Sequence, residues 1–84
     1  MKNYIFLLEW NNGNDFQCDT LCYGYNNIED AKKELPSIIA EEMECSWISE
    51  YTDDELIITQ NDTQWFCKYE DKFTRISIQE VEIH

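Results

Sequence analysis

Basic residues are few in this chain for its size. Six lysines and arginines stand against eighteen acids, a formal net charge of −12 over 84 residues. Such a surface repels nucleic acid and anionic membranes, so direct binding to either is not expected. Glycine is scarcer still. Gly13 and Gly24 are the only two, and they form no phosphate-cradling loop. The single histidine is His84, the last residue. Chain ends fray, and no Ser–His or Cys–His arrangement can be built around it. No apolar run is long enough to span a bilayer. The apolar residues 4–8 stop at Glu9, with no small-residue cleavage site beyond. A cytoplasmic protein with reduced thiols is therefore expected, with two disulfides as the alternative.

What the chain does contain is apolar material, 43% hydrophobic and 14% aromatic. That is too much for a disordered tail and enough for one small core. A single α+β domain over residues 1–84 is expected. Its organising element is Asn27–Cys45, where Ile28, Ala31, Leu35, Ile38, Ile39 and Met43 recur at helical spacing. Asn27 suits the N-cap, and Glu29 and Asp30 sit where the helix dipole favours acids. Pro36 interrupts this segment without shifting the phase of the stripe, which predicts one helix kinked at the proline.

The remaining segments read as strands. Tyr4–Trp10 is apolar on both faces, as a central strand is, and Asn11-Asn12-Gly13-Asn14 is a hairpin turn. A calcium loop there would need the spaced acids of an EF-hand, which are missing. Asp15–Tyr25 is the return strand. Cys45–Tyr51 reads as a further short strand, followed by strands at Leu56–Gln60, Thr63–Tyr69 and Phe73–Ile83. In the last, the apolar positions change parity between Ile76/Ile78 and Val81/Ile83, which predicts a β-bulge near Gln79 or Glu80. The expected architecture is one antiparallel sheet of about five strands in the order ββαβββ, or one strand more if Cys45–Tyr51 joins it. The kinked helix packs on one face. The other face is then solvated or covered by a second subunit.

The candidate chemistry is sparse. Cys18, Cys22, Cys45 and Cys67 supply four thiols, but Cys18 and Cys22 in an extended strand would lie about 13 Å apart, too far for one tetrahedral ion. They are read instead as four small buried hydrophobes, and no metal or cofactor is expected. Carboxylate pairs abound, but abundance makes any one pair uninformative, and no catalytic signature accompanies them, so the chain is read as a non-enzyme. Lys68, Lys72 and Arg75 form too small a positive patch for nucleic acid and are expected to pair across strands with Glu70, Asp71 or Glu80.

The acids carry the functional reading. No base lies between Lys33 and Lys68, and that gap holds Glu41, Glu42, Glu44, Glu50, Asp53, Asp54 and Glu55. Acids at a helix C-terminus oppose the dipole, so their presence there is locally unfavourable. The belt is expected to imitate a phosphate backbone and to occupy the basic channel of a nucleic-acid-binding protein, with Trp47 and Tyr51 as aromatic anchors among the acids. In size, acidity, α+β character and absence of catalytic signature the chain resembles the small acidic proteins that phages and mobile elements encode against bacterial defence, including anti-CRISPR proteins. That resemblance implies inhibition by occlusion of a Cas effector or another DNA-handling enzyme, and transfers no individual residue. Two alternatives stand beside it. One is a structural or adaptor domain, in some cases a homodimer, that binds through an apolar sheet face and is acidic only for solubility. The other is a sponge for a signalling nucleotide.

Overall fold

The first and last strands of the chain meet in the middle of the sheet. The computed structural model describes residues 2–82, and within it the order is β1 (Lys2–Asn12), β2 (Phe16–Tyr25), α1 (Ile28–Cys45), a 3-10 helix (Trp47–Glu50), β3 (Ile57–Gln60), β4 (Gln64–Tyr69) and β5 (Lys72–Glu82). The sheet runs β2-β1-β5-β4-β3, antiparallel throughout. This is the expected ββαβββ order with one α-helix. Ile83 and His84, and the side chains of Lys2, Cys22 and Tyr23, lie outside the described residues.

Two tight turns shape the hairpins. Gly13 has φ +98°, a conformation that favours glycine. The Asn11 and Asn12 side chains accept from the backbone N–H groups of Gly13, Asn14 and Asp15 at 2.7–3.0 Å, so the turn is closed by its own asparagines. Glu70 holds φ 53° in the β4–β5 turn. Both turns lie at one end of the sheet, because Asn12 stands opposite Lys72.

The helix begins as expected, with Asn27 Oδ1 accepting from Glu29 N–H at 2.8 Å. It runs unbroken through Pro36, which lies on the exposed side. Ala31, Leu35 and Ile39 are buried against Phe6, Leu8 and Ile76, with Ile38 and Met43 packed beside them. The helix packs over β2, β1 and β5. The other half of the sheet, where Trp65 and Cys67 are buried, shares its core with Ile48 of the 3-10 helix and with Leu56.

Two expectations fail here. Cys45–Tyr51 is not a strand. Ser46 caps a 3-10 turn, its Oγ accepting from Ile48 N–H and its carbonyl from Ser49 N–H. Within that turn a period of three carries Ile48 and Tyr51 inward together and leaves Ser49 exposed, while Cys45 ends the preceding helix on its exposed side. Nor is there a bulge near Gln79 or Glu80. The β1–β5 register is continuous from Lys2↔Glu82 to Asn12↔Lys72. The parity change arises because Glu80, opposite Tyr4, takes the helix-side position, while Val81 is on the other face and 38% exposed. The irregularity belongs to the β1–β2 pair, between Tyr4↔Tyr25 and Phe6↔Leu21.

Leu35 is 2% exposed at the centre of the helix stripe. Leu35→Ala is expected to cost about 2–5 kcal/mol, a large share of the stability of so small a domain. Urea denaturation should show a lower midpoint with an unchanged slope.

Candidate functional site

The acidic residues converge on the end of the molecule that carries the two hairpin turns. The helix C-terminus brings Glu41, Glu42 and Glu44 there. Glu42 and Cys45 line a cleft of about 360 Å³ with Trp10, Asn12, Ser46 and Trp47. The 3-10 helix then crosses toward β5 and β4. Trp47 Nε1–H donates to Thr74 Oγ1 at 2.9 Å, and the Tyr51 ring packs on Tyr69 with centroids 4.3 Å apart. These contacts tie down the loop that carries Asp53, Asp54 and Glu55. Thr52 N–H donates to the Glu55 carboxylate at 3.3 Å, closing that loop on itself.

The charges make their proximity felt on neighbouring groups. Lys72 donates to the Tyr51 hydroxyl at 2.7 Å. Its pKa is raised first by that bond, and also by the charges of Glu50 and Asp71. The Tyr69 phenol is pushed up, chiefly by Glu70 and with help from Glu55. The Glu42 carboxyl is raised by its partial burial and then by Glu41.

Six of the seven belt acids are exposed and Glu42 is half-buried. Among the described residues none of the seven has a lysine or arginine partner; the ion pairs are Lys32–Glu29 and Arg75–Glu9. Trp47 and Tyr51 are half-buried and packed against the core, so they brace the acidic loop more than they project from it. Sequence reasoning missed Asp15, Glu70 and Asp71. The two turns place them at the same end, and a Cβ on Gly13 would sit 3.4 Å from Asp71 Oδ2. The signal is the β1–β5 pairing: two hairpins joined through those central strands must turn at one end. The expected cross-strand partners of the bases also change. Arg75 pairs with Glu9 on β1 at 3.5 Å, because β5 is flanked by β1 as well as β4.

The cysteines differ from one another. Cys67 is fully buried, but Cys18 and Cys45 are exposed and free, which corrects the expectation of four buried thiols. Cys18 is on an edge strand, and Cys45 ends the helix where the chain turns away. Burial, with the charge of Asp53, pushes the Cys67 thiol up to about 11. Among the described residues no three His, Cys, Asp or Glu side chains are grouped to hold a metal ion. No helix of the described residues is long and apolar enough to cross a membrane.

No family model matches the chain, and no curated protein or solved structure matches it.

Two predictions follow from these environments. Glu42 has a raised folded-state pKa, so its ionisation opposes folding, and the penalty grows as pH rises from the unfolded value through the folded one. Glu42→Gln is therefore expected to stabilise the protein at pH 7, by roughly 0.3–1 kcal/mol given its place in the last helical turn. The gain should vanish in acid, which melting curves at several pH values will show. A thiol-specific reagent at mildly alkaline pH should label Cys18 and Cys45 quickly and leave Cys67 unreacted until the protein unfolds; peptide mapping by mass reads this directly.

Proposed function

We propose that this chain is a non-enzymatic inhibitor that acts in the cytoplasm by occupying the basic channel of a nucleic-acid-handling protein, an anti-defence role of the anti-CRISPR type. The observation that carries this reading is the gathering of unpaired acids at one end. Glu41, Glu42, Glu44, Glu50, Asp53, Asp54 and Glu55 meet Asp15, Glu70 and Asp71 of the hairpin turns there, with Lys72 engaged by Tyr51. Carboxylates with no lysine or arginine partner among the described residues keep their charge available to an incoming basic surface. Such a surface gains steering from the field and releases its own counterions, as it does with DNA.

The arrangement is also held in place. The Trp47–Thr74 bond and the Tyr51–Tyr69 contact fix the acidic loop to the sheet, so little ordering entropy is lost on binding. The cleft beside it is lined by an acid and no lysine or arginine, which does not suit a nucleotide phosphate.

A nuclease-treated pull-down from a bacterial lysate tests this reading. A basic DNA- or RNA-handling protein should be captured at low salt and released as salt rises from roughly 50 to 200 mM. A variant carrying Glu41→Lys, Glu44→Lys, Asp53→Lys and Asp54→Lys should keep the circular dichroism of the native fold and lose the capture. Undiminished capture by that folded variant would refute the proposal.

A further inference from the structure

The sheet face opposite the helix is nearly free of the charge that covers the rest of the molecule. Strand alternation along the observed registers places Glu9, Lys68 and Arg75 on it as the charged residues. Of eighteen acids, only Glu9 lies among these strand positions, and it is paired with Arg75. Arg75 is further occupied by aromatic rings, its guanidinium 5.3 Å from the Phe66 centroid and 6.0 Å from that of Phe73. It therefore offers little free charge to a partner.

The same face is apolar. Phe16, Phe73 and Phe66 form a row with centroids 6.0 and 5.9 Å apart. Phe16 is 56% exposed and Ile57 63%. Ile5 and Leu7 are half-buried on it and belong to no part of the helix-side core. Five strands of 4 to 11 residues, at about 4.8 Å spacing and about 3.3 Å per residue, give a face of roughly 650 Å² in projection. A standard interface needs about 800 Å² of accessible surface from each partner, which a corrugated face of that size approaches.

We infer that this face is the contact between two copies of the chain, packed sheet to sheet. The charges select the occupant. A basic partner would be drawn to the acidic end, and an acidic one would find a single free base here, the exposed Lys68. A neutral, flat, aromatic surface fits another of the same kind, and the one such surface among the described residues is this face itself. Two chains of charge −12 can meet only where acids have been withheld, and the strands withhold them here. The acidic end lies off this face, so dimerisation and capture of a basic partner are compatible.

Salt separates the two proposals. Screening relieves repulsion between two acidic chains, so the dimer should tighten as salt rises, while capture by the acidic end weakens. Sedimentation velocity over roughly 1–100 μM chain should show a monomer–dimer equilibrium. Phe16→Glu with Ile57→Glu, both at exposed positions, should weaken it by roughly 100-fold by setting like charges against each other. Hydroxyl-radical footprinting of the unmodified protein makes the test independent of how that variant folds: Phe16, Phe66 and Phe73 should be less labelled in concentrated than in dilute samples. A monomer throughout that range, a dimer that weakens with salt, a dimer kept by the folded double variant, or unchanged phenylalanine labelling would each overturn the inference.

Discussion

The pairing of β1 with β5 is the interaction on which the rest of this structure depends. It joins the first and last strands of the chain over eleven residues in one continuous register, Lys2↔Glu82 to Asn12↔Lys72. Closing that long loop costs entropy before any contact returns it. Once made, the pair puts Phe6, Leu8 and Ile76 on one face, where the helix can cover them. It also puts the β1–β2 and β4–β5 turns at the same end. The acidic end, the aromatic row and the core are consequences of that one pairing.

Much of this was legible locally. The helix phase across Pro36, the asparagine-closed turn at Gly13 and the cap at Asn27 are encoded within a few residues of where they act. So is the two-faced apolar character of β1, which announces a central strand. What was not legible depends on partners distant in sequence. Cys45, Trp47, Ser49 and Tyr51 would share one face of an extended segment and read as strand, yet Ser46 caps a 3-10 turn that a core contact for Ile48 stabilises. Val81 suggested a bulge because its exposure cannot be seen from hydrophobicity alone. Cys18 and Cys45 read as buried because cysteine usually is, whereas their positions on an edge strand and at the helix end expose them. Arg75 found Glu9, sixty-six residues away, which only the β1–β5 pairing could arrange. The acids of the belt were found as a sequence run, but Asp15, Glu70 and Asp71 needed the topology.

The molecule sorts its charge. The helix-side end carries acids with no lysine or arginine partner among the described residues, and its aromatic residues serve to hold the acidic loop down. The opposite sheet face carries aromatics, with its one acid paired to Arg75 and Lys68 as its other charge. A solubilising surface would have no need of this division, since acids spread over every exposed face would serve equally well. The proposed function uses the first surface for a basic partner, and the proposed dimer uses the second. Electrostatics opposes the local structure at the helix C-terminus, where Glu41, Glu42 and Glu44 meet the negative end of the dipole.

The central claim is that the acidic end takes the place of nucleic acid. The measurement that tests it most directly is a binding titration against the captured basic protein, with duplex DNA as competitor and salt as the variable. The expected result is mutually exclusive binding, with an affinity that falls linearly in its logarithm as the logarithm of salt concentration rises. Simultaneous binding of DNA and this protein to the same target, or an affinity indifferent to salt, would contradict it.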